Sequence, residues 1–438
     1  MLKLHVVRGD GVDYHLADLG HDGALAVEGP GVAGESPGEW AGRGSDALGL
    51  RGAVRRPDLA EVLAGRHPTG GGALRQVQGA RPVCGFDLVF AAPKAVSLLH
   101  LLAPRELGAA AGSAHTAAVA DAVAYLEGAG LGVRRSRGGQ VHHLGTTGAV
   151  AAGFVHRTSR TLDPHLHSHV VTANVAQGLD GRWSSLDSRR LFLHRRATQA
   201  VYDASLRHHL TRSAGVAWRR GATGPWEVVG VDPVLCRLFS QRAASIDESS
   251  HRRTGGRGSP GVRRVAYFAD RPDKDRDVSS DDLRSAWRRR AASMGIDVND
   301  LVSVVGRAPQ AGRGEELRAG DVVEGLVRSG ATRGRLTARD HVTAVADAAP
   351  QGLDGRDVVR LAGAVGSALG SRRRDDGPGS WSGAIDPVGR VPGVARVPGG
   401  DPAGPVRTPA GDGPGRRTGR APGDGSAPGV RPPLELGR

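Results

Sequence analysis

Phe154-Val155-His156-Arg157-Thr158-Ser159-Arg160-Thr161-Leu162-Asp163-Pro164-His165-Leu166-His167-Ser168-His169-Val170-Val171 decides how this chain is read. In an extended strand, side chains at i and i+2 share a face. His167 and His169 therefore project together, and Ser168 points the other way. His156 closes the preceding strand-like run, and Asp163-Pro164 marks a turn between the two runs. A hairpin through that turn brings His156 beside the pair. Three imidazoles on one sheet face bind a divalent ion and leave coordination positions open for a substrate. The competing reading is a set of exposed histidines in a chain that carries 17 of them. His165 shares the parity of His167 and His169 and is a rival ligand. Pro164 is expected to bend the backbone out of the strand there. His156, His167 and His169 are therefore the preferred set, with His165 a structural neighbour.

Strand-like and helix-like stretches alternate on both sides of this hairpin. Residues 1–7 and 85–90 read as strands, the second stopped by Ala92-Pro93. Pro93 suits the start of a helix over 94–102. Residues 106–127 form a long amphipathic helix. Residues 133–143 and 148–156 read as two strands joined by a Gly/Thr turn, 167–176 as a strand and 191–214 as a helix. Residues 232–365 read mainly helical, broken near 254–261 and 306–314, with Arg288-Arg289-Arg290 on one helix. From 371 onward, 16 Gly and 12 Pro fall within 68 residues. Such a segment buries too little apolar surface to offset chain entropy, so a disordered tail is expected.

Two further positions carry chemistry. Asp87 interrupts an apolar strand between Phe86 and Leu88. It either faces solvent at an edge or is kept for a site, where it orients a histidine or helps remove a proton. Tyr14 lies in the polar, glycine-flanked stretch Gly9-Asp10-Gly11-Val12-Asp13-Tyr14, which fits a reactive phenol and equally fits a turn residue. Tyr125 and Tyr202 lie within amphipathic helices and read as core. Tyr267 sits in a strand-like run.

Lys+Arg outnumber Asp+Glu by 59 to 45, a net charge of +14. Such an excess speaks of polyanionic partners, nucleic acid first and an anionic membrane surface second. Arg, Gly and Ala usage of this kind also follows from a GC-rich genome, which weakens the inference. Cys84 and Cys236 belong to no C-x-x-C pair, so neither a disulfide framework nor a zinc-thiolate site is expected. The start is too short and too quickly polar for a signal peptide. No run of about 18 apolar residues is present. A cytoplasmic protein without membrane insertion is expected. The absence of Gly-x-x-x-x-Gly-Lys-[Ser/Thr] removes the case for a nucleotide-driven motor.

Taken in order, an N-terminal Tyr14, Phe-Asp-Leu-Val-Phe-Ala-Ala-Pro-Lys-Ala-Val-Ser-Leu-Leu (86–99), His-Arg-Thr-Ser-Arg (156–160) and Asp-Pro-His-Leu-His-Ser-His-Val-Val (163–171) resemble the TrwC/MobF conjugative relaxases of the HUH endonuclease class. The resemblance covers 1–245 well and 246–305 moderately. It implies an α+β fold with an antiparallel-type central sheet flanked by helices. The implied relaxase domain is 1–305, with a core over 1–220 and a helical extension over 221–305. Residues 306–370 would follow as a further helical extension or linker, and 371–438 as the tail.

The implied activity is site- and strand-specific nicking of single-stranded DNA at an origin of transfer. Tyr14 would be the nucleophile and form a 5′-phosphotyrosine. His156, His167 and His169 would hold a divalent ion, Mg²⁺ or Mn²⁺, with Zn²⁺ an option. Asp87 would fix a histidine and assist proton transfer. Lys94 and Arg160 would touch the DNA backbone or the site. The implied partners are single-stranded DNA, the origin hairpin and the conjugation or coupling machinery. Two alternatives stand beside this reading: a non-catalytic origin-binding protein on the same fold, and a metal-dependent nuclease that uses water. The chain departs from the family's pattern in three places. Residues 15–40 hold no second tyrosine, the helicase that many members carry is not expected within these 438 residues, which fits a relaxase-only version or a fragment of a larger gene, and His165 stands where the family usually has Gln.

Overall fold

A computed structural model describes residues 2–9, 38–77, 79–159, 161–221, 224–254, 279–309, 317, 319–328, 336–368 and 380–381. Contacts divide the chain into Met1–Val397 and Pro398–Arg438, and the second unit lies outside the described residues. The tail expected over 371–438 also lies outside them, apart from Ser380–Trp381, which pairs antiparallel with Leu336–Thr337.

In chain order the elements are β1 (Lys3–Arg8), β2 (Glu39–Ala41), α1 (Arg56–Leu63), β3 (Val83–Ala91), α2 (Lys94–Leu102) and α3 (Arg105–Tyr125). Next come β4 (Val133–Arg137), β5 (Gln140–Leu144), β6 (Ala151–Thr158), β7 (Pro164–Ala173), β8 (Ala176–Gln177), β9 (Trp183–Ser184) and α4 (Ser188–Ala214). The remainder comprises β10 (Trp218–Arg220), β11 (Trp226–Val228), α5 (Pro233–Leu238), α6 (Gln241–Thr254), α7 (Ser280–Ala292), α8 (Ala319–Arg328), α9 (Ala338–Ala348) and α10 (Gly355–Ala368).

Five strands form one antiparallel sheet in the order β1-β3-β7-β6-β2. The architecture is thus the α+β arrangement expected from the sequence. The period-2 alternation of β3 and β7 sorts the sheet into two faces. One face presents Phe86, Leu88, Phe90, Leu166 and Val170, all at most 2% exposed, to α2, α3 and α4. Burying Phe90 fully makes its truncation to alanine cost about 3–5 kcal/mol. The long helix α4 buries Leu191, His194, Ala197, Thr198, Val201, Tyr202 and Ser205 at helical spacing. It ends where Gly215 takes the left-handed conformation (φ 63°), which glycine adopts without a Cβ clash.

Among the described residues, one hydrophobic cluster packs on part of the opposite face. Leu48, Leu50, Leu59, Val62 and Leu63 pack on Ala152, Phe154, Val171 and Ala173. The same face carries Lys3 and His5 from β1, Asp87 and Val89 from β3, His156 from β6, and His167 and His169 from β7. Lys3 and His5 are exposed.

Two local readings are corrected. Residues 133–143, read as one strand, are a tight hairpin: β4 pairs with β5 across Gly138-Gly139, both at positive φ. Gly138-Gly139 is a two-residue glycine turn of the kind that favours hairpins. Pro164 does not bend His165 out of the strand. It is the first residue of β7, a position that needs no donated ladder bond, and β7 runs straight on through His165. Residues 306–370 hold α8, α9 and α10, whose Val322, Leu326, Val342, Val345, Val358 and Leu361 form a second core with Tyr125, Ala197 and Val201.

Candidate metal centre

His156 on β6 and His167 on β7 are direct cross-strand partners, and His169 follows two residues along β7 on the same face. Their ring centroids lie 5.2, 5.0 and 5.3 Å apart. One ligand nitrogen from each ring lies within 4.8 Å of the other two, and no other such cluster of three occurs among the described residues. The turn that closes this hairpin is held from outside. Asp163, 1% exposed, accepts from the backbone N–H of Gln241 (2.8 Å), from its side-chain amide (2.9 Å) and from Arg290 (3.2 Å). Trp287 donates to the carbonyl of Leu162 at 2.8 Å, where φ is +56°. Helices α6 and α7 thereby fix the bend that sets His156 beside His167.

Two of the three tautomers are fixed by acceptor-only partners. His169 Nδ1 donates to both carboxylate oxygens of Asp87, at 3.0 and 2.9 Å. His167 Nδ1 donates to the carbonyl of His165 at 2.9 Å. In both rings Nε2 therefore carries the lone pair that an ion needs. Burial, reinforced by the rings of His165, His156 and His169, holds His167 well below the ordinary imidazole value of 6.5. His167 is neutral at pH 7, the state that coordinates metal. The donor set fits a divalent ion that accepts imidazole nitrogen.

Asp87 is 5% exposed and sits on β3, one strand in from the edge. It faces the histidines, so the solvent-facing alternative falls away. His165 stacks on His167 with centroids 4.6 Å apart at 26°, yet it is not part of the ligand cluster. Burial, helped by the charges of Lys94 and Lys3, pushes its pKa down to about 3. Lys94 Nζ donates to the carbonyl of Pro164 at 2.6 Å, tying the start of α2 to the start of β7. Tyr14 and Arg160 lie outside the described residues.

Behind the ligand strand is an arrangement that sequence reasoning missed. Ser168, between His167 and His169, points through the sheet to His115 Nε2 (2.8 Å), whose Nδ1 meets Tyr202 Oη (2.8 Å). Burial pushes the His115 pKa down to about 3. The signal was present in the inward spacing of Leu107, Ala111, Ala114, His115, Ala118 and Ala122 on α3.

A sequence model of the TrwC relaxase family matches residues 9–294. The chain belongs to the TrwC relaxase family. Among curated proteins, this TrwC-family chain is 33% identical over 279 residues to the multifunctional conjugation protein TraI of Escherichia coli. TraI of strain K12 is 32% identical over the same length. Each alignment covers 61% of this chain and 15% of TraI, so the chain matches a small part of those relatives. Among solved structures, the conjugative relaxase TrwC in complex with OriT DNA, metal-free, superposes with a TM-score of 0.59 at 30% identity. The metal-bound complex gives 0.59 at 29%. TrwC with a 27-mer DNA comprising the recognition hairpin and the cleavage site gives 0.58 at 30%. Each covers 68% of this chain and 100% of the TrwC chain. Helices α8–α10 of this TrwC-family chain lie beyond the family match.

Proposed function

We propose that this TrwC-family chain nicks one strand of DNA at an origin of transfer and keeps the new 5′ end on Tyr14. The observation that carries the reading is the His156, His167 and His169 cluster, with Asp87 behind His169, on a fold shared with TrwC structures that hold OriT DNA. The phenolic oxygen of Tyr14 attacks the scissile phosphorus and gives up its proton. The new O–P bond forms as the P–O3′ bond breaks, and the departing 3′ oxygen takes a proton. The phosphotyrosyl bond conserves the energy needed to rejoin the strand. Asp87 keeps His169 in its tautomer and lies near enough to the centre to assist proton removal. His156, His167 and His169 would hold a divalent ion, which would supply positive charge toward the phosphate oxygens on which negative charge builds. Imidazole nitrogen suits transition metals and Zn²⁺ better than Mg²⁺, so Mn²⁺ is the first ion to test.

Chain length supports the role of Tyr14. Arg8 ends β1 opposite Val83, and the centre lies near Val89 and Ala91, opposite His169 and His167. Val83 to Val89 is about 20 Å along the strand. Six residues from Arg8 to Tyr14 span about 20 Å when extended. The nucleophile reaches the centre if the chain doubles back over the histidine-bearing face of the sheet. Single-stranded and hairpin DNA are the proposed partners, with conjugation and coupling machinery acting on the product in the cytoplasm. Among the described residues, no helix is long and apolar enough to cross a membrane.

The test is an adduct assay on single strands tiled across DNA flanking the chain's own gene, with Mn²⁺. The wild type is expected to give a denaturant-resistant protein–DNA band that Tyr14→Phe abolishes and His167→Ala strongly reduces. Cleavage undiminished in Tyr14→Phe would turn the reading to hydrolysis by water. Hairpin binding without cleavage by any strand would leave only the binding function.

A further inference from the structure

A cavity of about 870 Å³ opens between α4, the β10–β11 hairpin and helices α8 and α9. Sites for small organic ligands span roughly 300–1,000 Å³. Toward the sheet it is lined by Ala91, Ala92, Pro93, Lys94 and His165. His165 is the ring stacked on His167 at 4.6 Å, which places the cavity next to the histidine cluster.

The lining is cationic. Lys94, Arg196, Arg207, Arg220 and Arg328 face Asp203 and Asp347, five positive charges against two negative. Asp347 pairs with Arg220 (2.6 Å) and Arg328 (3.2 Å). Arg207 is 2% exposed, and its hydrogen bonds run to the carbonyls of Asp203, Ala346 and Ala349 at 3.1, 2.7 and 3.2 Å. Lys94 likewise bonds to the Pro164 carbonyl. Carbonyls satisfy the donors without neutralising the charge, which leaves a positive field that an anion would complement. The guanidinium of Arg220 lies 4.2 Å over the Trp226 ring and that of Arg207 5.0 Å. Guanidinium planes and an indole are both surfaces on which a nucleobase stacks. Gly325, Arg328, Thr343, Ala346 and Asp347 lie beyond residue 294, where the family match stops, so the outer wall belongs to this chain's own extension.

We propose that this cavity seats a nucleoside 5′-phosphate, the first nucleotide of the strand that continues past the scissile phosphate. The placement of that nucleotide in a strand rests on the nicking reading; the ligand chemistry does not. The test uses the full chain and the 5′-phosphorylated dinucleotide pTpT, titrated calorimetrically. Arg220→Gln is expected to weaken binding at least tenfold, with its thermal midpoint checked against the wild type. In the wild type, the same dinucleotide with 5-iododeoxyuridine at the first base is expected to photo-crosslink within residues 196–207 or 218–226. A strand running two nucleotides past the mapped cleavage position should displace pTpT, and a strand ending at that position should not. Equal pTpT affinity in wild type and a folded Arg220→Gln, or crosslinks wholly outside those segments, would overturn the proposal, even with a normal Tyr14 adduct. If no adduct forms but crosslinking and the Arg220→Gln effect hold, the nicking reading fails and the cavity stands as a site for free nucleotide. Displacement by both strands alike would overturn the downstream placement.

Discussion

Asp87 has one clear task at the scale of a single residue: it fixes which nitrogen of His169 carries the lone pair. Asp87→Asn keeps the shape but removes the charge that favours Nδ1–H. Such partners of metal-ligating histidines are worth about 10–100-fold in metal affinity. Mn²⁺ titration of the variant should show a loss of that order, and unchanged affinity would remove Asp87 from the site. His115, on the far side of the sheet, makes a pH prediction. Folded, it releases its proton near pH 3; unfolded, it does so near 6.5. Between those values the unfolded chain binds more protons, so this histidine's contribution to stability is lost as pH falls from 6.5 toward 3. The stability advantage of wild type over His115→Asn should therefore shrink by about 1.4 kcal/mol per pH unit below 6.5. Urea unfolding at several pH values measures it, and a pH-independent difference would contradict the buried neutral state. Parity along one strand made the shared face of His167 and His169 legible in the sequence, because a period of two admits no other arrangement. It also sent Ser168 to the opposite face. What Ser168 meets there belongs to α3 and α4, and no local pattern names a partner 53 residues away.

The elements around the hairpin show why some boundaries were legible and others were not. Pro93 and the apolar run behind it marked α2 over 94–102, because proline at a helix start costs no hydrogen bond. The β4–β5 turn was legible in Gly138-Gly139, a dipeptide that favours two-residue hairpin turns, but Val133 and Val141 alone gave the flanking strands little apolar pattern. The expected kink at Pro164 failed because tertiary contacts outweigh the local preference. Lys94 holds the Pro164 carbonyl, and Ser97 Oγ accepts from the Leu166 N–H at 3.0 Å. The hairpin's other anchor is Asp163, visible in the sequence only as a turn residue. Asp163→Ala leaves the donors of Gln241 and Arg290 without their buried acceptor. The expected cost is about 2–4 kcal/mol, with the partly exposed Arg290 pair counted lightly for screening. Urea unfolding should register it, and hydrogen exchange should quicken around 159–163. A loss below about 0.5 kcal/mol would mean that α6 and α7 do not hold the turn.

Across the whole molecule, charge announces partners rather than fold. The net +14 fits a DNA-binding surface, and the family assignment agrees with it. If the grip is arginine on phosphate, counterion release should cut affinity for an origin strand on the order of a thousandfold between 50 and 200 mM salt. A flat salt titration would place the grip elsewhere. The packing of α8–α10 on α4 was beyond the sequence. Their apolar faces announce burial, but only the assembled core shows that Ala197 and Val201 receive them. The central claim, covalent capture of DNA by Tyr14, is open to one direct measurement. Tyr14 lies in a single tryptic peptide, residues 9–43, because no Lys or Arg interrupts that stretch. The full chain is incubated with Mn²⁺ and a strand cleaved in the tiling assay, digested, and analysed by mass spectrometry. The account predicts that peptide 9–43 gains the mass of the downstream oligonucleotide, localised to Tyr14. A nicked strand bearing a free 5′-phosphate with peptide 9–43 unmodified, or an adduct on any other residue, would contradict it.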